Sequence, residues 1–122
     1  MKKAKASKAY LKSIKEDYKI TRALSIDREL IPVLDKLNAL PFLCTVQSCW
    51  GHRDKGGYLM LYTTHPPEKF LKYLSKHLSQ RYMVIELHLY HDVLCYYIKF
   101  PLTFGPVLKQ FDIFYEYIKK LK

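Results

Sequence analysis

The sequence predicts an α+β fold: duplicated αββ units forming a four-stranded, mainly antiparallel sheet with helices packed on one face, plus an N-terminal basic helix and a C-terminal helix. Three observations predict it. Apolar residues recur at helical spacing in four segments. Between them lie two pairs of β-type runs, each pair joined by a short polar connection. Each pair also follows a helical segment, so the same order of elements occurs twice. The 122 residues suit one domain, with a basic amphipathic helix over residues 1–23 and an αββαββα core over residues 24–122.

The first helix is expected from about Ala4 to Ala23. Lys5, Lys8, Lys12, Lys15, Lys19 and Arg22 recur every three or four residues and fall in one stripe about 100° wide. Tyr10, Leu11, Ile14 and Tyr18 form a separate apolar stripe. The helix thus has one face to dock and one to offer phosphates. Ser25 or Asp27 is positioned to cap a second helix whose stripe is Leu30, Ile31, Leu34 and Leu37, with Pro32 tolerated near the start and Pro41 closing it. Phe42 to Gln47 is β-type and runs into Ser48-Cys49-Trp50-Gly51-His52, after which Arg53 to Gly57 returns the chain into a strand from Tyr58 to Thr64. His65-Pro66-Pro67-Glu68 starts a third helix carrying Phe70, Leu71, Leu74 and Leu78.

Tyr82 to Tyr90 alternates Ile85, Leu87 and Leu89 with Glu86, His88 and Tyr90, the pattern of a half-buried strand. His91-Asp92 is a tight turn into Val93–Phe100. Gly105-Pro106 opens a last helix with Val107, Leu108, Phe111, Phe114, Tyr115, Ile118 and Leu121 on one face. Helices confined to one side leave the other sheet face open, and Glu86, His88, Tyr90, Tyr97 and Lys99 are expected there, able to stack bases or pack a partner.

Composition narrows the function classes. Hydrophobic residues at 49% and charged residues at 26% are ordinary globular usage and exclude wholesale disorder. No apolar run approaches the roughly 20 residues needed to cross a bilayer, so no membrane partner is expected. The start, Met1-Lys2-Lys3, has no apolar core of a signal peptide, which points to a cytoplasmic protein. Three cysteines are most simply reduced thiols. The formal charge is +10, and residues 1–22 carry eight basic and two acidic residues, or +6 of it. Such an excess attracts polyanions, RNA foremost in the cytosol.

The segment Ile26-Asp27-Arg28-Glu29-Leu30-Ile31-Pro32-Val33-Leu34-Asp35-Lys36-Leu37-Asn38, followed by Thr45-Val46-Gln47-Ser48-Cys49-Trp50-Gly51-His52, resembles the family of the third wybutosine-synthesis protein, a tRNA-modifying methyltransferase. Asp27, Ile31, Pro32, Leu34 and Asn38 match that family's helix pattern, and Thr45, Ser48, Cys49 and Gly51 match the end of its strand. Gln47, Trp50 and His52 stand where the family has Ser, Ser and Arg, and its later motifs have no counterpart. The match covers residues 24–52. It implies an association with RNA, tRNA in particular; S-adenosylmethionine as cofactor follows from the resemblance only. There is no G-x-G-x-x-G, so no Rossmann-type cofactor site is indicated.

Ser48, Cys49, Gly51 and His52 are the candidate ligand-binding residues. Gly51 lets the backbone turn closely around a ligand, neighbouring Ser and Cys groups can cradle an anion, and a basic loop favours the thiolate. Lys5, Lys8, Lys12, Lys15, Lys19 and Arg22 are the candidate phosphate-binding residues. No metal site is expected, because Cys44, Cys49, His52 and His65 include no C-x-x-C pair and strand alternation separates Cys44 from Cys49. The alternative to RNA association is a non-enzymatic small-molecule-binding domain, or a homodimer through the aromatic sheet face or helix 107–121.

Overall fold

In the computed structural model the chain runs α1 (Lys2–Leu24), a 3₁₀ turn (Arg28–Leu30), α2 (Ile31–Asn38), β1 (Leu43–Cys49), β2 (Gly57–Thr63), α3 (Pro67–His77), β3 (Val84–Tyr90), β4 (Val93–Phe100), a second 3₁₀ turn (Leu102–Phe104) and α4 (Val107–Ile118). The structure describes residues 2–24, 26, 28–49, 56–78, 83–90 and 92–121, with the side chains of residues 2–7 and of Cys49 excepted. The four strands form one antiparallel sheet in the order β1-β2-β4-β3. Each hairpin stays intact, and the second strands of the two hairpins meet at the centre. The α+β architecture predicted from periodicity is therefore the one observed.

The main core lies between one sheet face and α2, α3 and α4. Leu34, Leu37, Phe70, Leu74, Phe111, Phe114 and Ile118 from the helices meet Leu59, Leu61, Tyr96, Ile98 and Phe100 from the central strands. Ring contacts fix the layers: Phe100 meets Phe111 edge-on at 4.6 Å, and Phe70 lies 4.6 Å from Tyr96. Each such buried ring stabilises the fold by about 1.5–3 kcal/mol relative to exposure. Gly56 is required where β2 begins, since a Cβ there would stand 2.3 Å from the Phe100 carbonyl oxygen.

The reverse face of the sheet is not open, as expected from sequence, along its whole width. Leu11, with Tyr10 and Ile14 beside it, covers a second apolar cluster of Cys44, Met60, Tyr62 and Cys95. Tyr18, two turns further along, joins the main core instead. α1 therefore crosses the β1 edge, its first half on the reverse face and its second half against α2. The physical reason is that the part of this face running from Cys44 through Tyr62 to Cys95 is apolar, and leaving it in water would cost about 25 cal/mol for each Å². Beyond that cluster the face stays uncovered, with Glu86, His88, Tyr97 and Lys99 partly or fully exposed.

Local boundaries also differ from the periodicity-based ones. β1 continues through Ser48 and Cys49, which pair with Leu59 and Tyr58, so neither lies in a turn. A register shift between Thr45 and Gln47 leaves Val46 as a bulge. Strict alternation is broken there, and it no longer separates positions 44 and 49. α2 starts at Ile31 after a 3₁₀ turn, with Pro32 in its first turn and no side-chain cap. The expected cap residues Ser25 and Asp27 lie outside the described residues. In β3 only Ile85 packs on the core; Leu87 and Leu89 are 51% and 76% exposed and belong to neither apolar cluster among the described residues.

Candidate nucleic-acid interface

The basic stripe of α1 splits into two parts. Measured from Tyr18, which points into the core, Arg22 and Lys15 sit about 40° and 60° around the helix, while Lys8, Lys19 and Lys12 sit about 80–120° around. The nearer pair is drawn into packing. The Lys15 ammonium donates to the carbonyl oxygens of Asn38 at 2.8 Å and Leu40 at 2.5 Å, at the C-terminal end of α2 where a cation is favourable. Burial pushes its pKa below the usual lysine value. The Arg22 guanidinium donates twice to Asp35, Nε to Oδ1 at 2.8 Å and Nη2 to Oδ2 at 2.9 Å. These two residues, expected to meet phosphates, instead fasten α1 to α2.

Lys8, Lys12 and Lys19 are exposed and have no acidic partner among the described residues. Together with Lys15 and Arg22 they line a groove of about 820 Å³ between α1 and the α2–β1 connection. Its other wall includes Asn38, Pro41 and Thr64, and Glu16 is the acidic residue at its rim without an ion pair among the described residues. The side chain of Lys5 lies outside the described residues. Five cations thus converge on one concavity, three of them uncommitted. Sequence periodicity identified the stripe, but not the groove wall supplied by α2 and Thr64.

Of the Ser48–His52 segment, the structure describes Ser48 and the backbone of Cys49; Trp50, Gly51 and His52 fall outside the described residues. Ser48 is partly buried and lines a cleft of about 350 Å³ with Tyr18, Thr21, Thr45, Gln47 and Tyr58. This cleft and the basic groove share Tyr18 and open on different flanks of α1. The described residues that carry the family resemblance have structural jobs here. Leu34 is fully buried. The Asn38 amide donates to the Thr45 hydroxyl at 2.8 Å and accepts the Thr45 backbone N–H at 2.8 Å, stapling α2 to β1.

The uncovered half of the sheet carries a ladder of rings. Tyr58 stacks on Tyr97 at 4.8 Å and His88 stacks on Tyr97 at 5.0 Å. Tyr97 is thus packed by rings of its own sheet face, and the Lys99 ammonium lies 5.4 Å from its ring centre. Glu86 pairs with Lys99 at 3.1 Å and lies 3.7 Å from His88, and it is held below the usual carboxylate range mainly by the hydrogen bond from Lys99. Tyr90 belongs with the residues packed under α1.

Two thiols can be assessed for reactivity. Burial pushes Cys44 up to about 12 and Cys95 up to about 11, so both stay protonated at neutral pH and neither is a nucleophile. Among the described residues no group of three or more His, Cys, Asp or Glu could hold a metal ion, and no helix is long and apolar enough to cross a membrane. No family model matches the chain, and no match was found among curated proteins or solved structures.

Proposed function

We propose that this protein binds RNA through the groove between α1 and the α2–β1 connection. The observation that carries this reading is the convergence of Lys8, Lys12, Lys15, Lys19 and Arg22 on one concave surface, with Lys8, Lys12 and Lys19 free of acidic partners among the described residues. Paired cations shape the groove and uncommitted ones neutralise phosphates. A cytoplasmic setting, where RNA is the abundant polyanion, goes with this reading. So does the resemblance of residues 24–52 to a tRNA-modifying family, which favours tRNA over other RNA. Ser48, which lines the neighbouring cleft, and Cys49, Gly51 and His52, which follow it in the sequence, are then the candidate ligand-binding residues, and S-adenosylmethionine is the cofactor that the resemblance alone suggests.

The test is fluorescence anisotropy with bulk tRNA across a salt series. Binding neutralises phosphates and releases counterions, so log K falls linearly with log salt. Replacing Lys8, Lys12 and Lys19 together with Gln removes three contacts and flattens that slope by roughly 2 for single-stranded segments. The fold is expected to be retained, because all three are exposed and none forms an ion pair among the described residues. A salt-independent affinity, or a triple variant that binds as the parent does, refutes the reading.

A further inference from the structure

We propose that the chain forms a two-fold homodimer by antiparallel pairing of β3 with β3 of a second copy, in the register that sets Leu87 opposite itself. β3 is the last strand of the sheet, and no strand of the described chain pairs with its outer edge. It is an unusual edge. It runs seven residues from Val84 to Tyr90 without a bulge, proline or lysine, the devices that ordinarily block edge pairing. It also exposes Val84, Leu87 and Leu89 at 52%, 51% and 76%.

The sequence of β3 is complementary to itself in one register. Opposed residues of an antiparallel pair share a sheet face, so the symmetric registers are centred on a residue. Centring on Leu87 places Ile85 opposite Leu89 of the second copy on the helix-covered face, and Glu86 opposite His88 of the second copy on the other. Both pairs then occur twice by symmetry. Centring on Glu86 would set Glu86 against itself, and centring on His88 would set His88 against itself. Charge thus excludes the Glu86-centred register, and only the Leu87-centred one sets carboxylate against imidazole.

Shape agrees with charge. Between α3 and β3 runs a groove of about 770 Å³, lined mainly by apolar residues, Leu71, Leu74, Leu78, Met83, Val84 and Ile85, with Lys72 and Ser75 beside them. In the Leu87-centred register, Leu89 of the second copy comes alongside Ile85, at the groove. The most exposed leucine of the strand therefore meets the cavity that the helix leaves beside the other end of the same strand. This surface lies at the edge of the sheet opposite β1, away from the basic groove, so its test is independent of RNA binding.

The test uses the full chain. Sedimentation equilibrium is expected to give a concentration-dependent dimer. Leu89→Glu weakens it by roughly a hundredfold or more, since two apolar contacts per dimer are lost. His88→Glu, which sets Glu against Glu twice, weakens it about tenfold, and Glu86→His added to His88→Glu restores it. Leu87→Cys cross-links under oxidation while Val84→Cys does not, because only position 87 faces its own copy within the Cα range a disulfide spans. Circular dichroism of each variant confirms that it folds. A monomer at every attainable concentration overturns the proposal. A dimer indifferent to Leu89→Glu, or cross-linked through Val84→Cys and not Leu87→Cys, overturns it equally.

Discussion

Asp35 receives both ends of the Arg22 guanidinium fork and, at 2.9 Å, the hydroxyl of Tyr18, so one carboxylate on α2 fixes two successive turns of α1. The hydrogen bonds from Arg22, then that from Tyr18, hold the Asp35 carboxyl below its ordinary range against the opposing effect of burial. Burial, and after it the same carboxylate, drives the Tyr18 hydroxyl well above its usual value, so it remains a donor at any physiological pH. This triad decides how much of the basic helix is left for a ligand.

A carboxyl depressed in the folded state stabilises the protein above its unfolded pKa of about 3.9, and that contribution is lost as pH falls through the folded value. Asp35→Asn is therefore less stable than the parent at neutral pH, and the gap closes below about pH 3.9 as the parent's own carboxyl protonates. Urea midpoints measured across pH give the comparison. A gap that stays constant down to the acid limb would show that Asp35 carries no linked charge.

Lys15 differs from its neighbours on the stripe in holding the last carbonyls of α2. Lys15→Met removes a donor from both, leaving the Leu40 carbonyl only the Leu43 N–H, and costs about 1–3 kcal/mol. Lys12→Met, on the exposed side, changes stability by less than about 0.5 kcal/mol. Chemical denaturation separates the two, and equal losses would mean that the docked and free parts of the stripe had been wrongly divided.

Cys44 and Cys95 are expected to resist iodoacetamide in the native protein at neutral pH and to react once it is denatured, with mass spectrometry locating the label. Their pKa values, raised by burial, also set an alkaline limit. The unfolded chain loses these thiol protons from about pH 8.5, before the folded chain does, so stability declines as pH rises past that point. Rapid native labelling of Cys44 would contradict its burial.

Asp92 takes a positive φ of 64° in the two-residue connection between Tyr90 and Val93. A left-handed conformation is strained for a residue with a Cβ, though Asp bears it better than most. Asp92→Gly relieves that strain and raises stability by about 0.5–1 kcal/mol, seen as a higher melting temperature. A fall would show that the Asp92 side chain contributes more than its backbone strain costs.

Element identity was legible in the sequence because it depends on local spacing. The stripe Val107, Phe111, Phe114 and Ile118 on α4 and the Gly105-Pro106 start needed no partner to be recognised. The cationic stripe on α1 was legible for the same reason. The candidate Ser48–His52 segment was legible only through its resemblance, and the structure gives Asn38 and Thr45 within that resemblance a packing role.

What the tertiary structure alone decided is which face each stripe meets. Periodicity assigns a direction around a helix axis but no partner, so it could not say that α1 would cross the β1 edge and cover half of the reverse face. Nor could it tell Lys15 and Arg22 from Lys8, Lys12 and Lys19, because that difference arises only when Asp35 and the end of α2 are brought alongside. The alternation of β3 predicted burial for Leu87 and Leu89, yet neither joins the core and both stand in water. Local sequence sets which side chains point together; the length and placement of distant elements set what they touch.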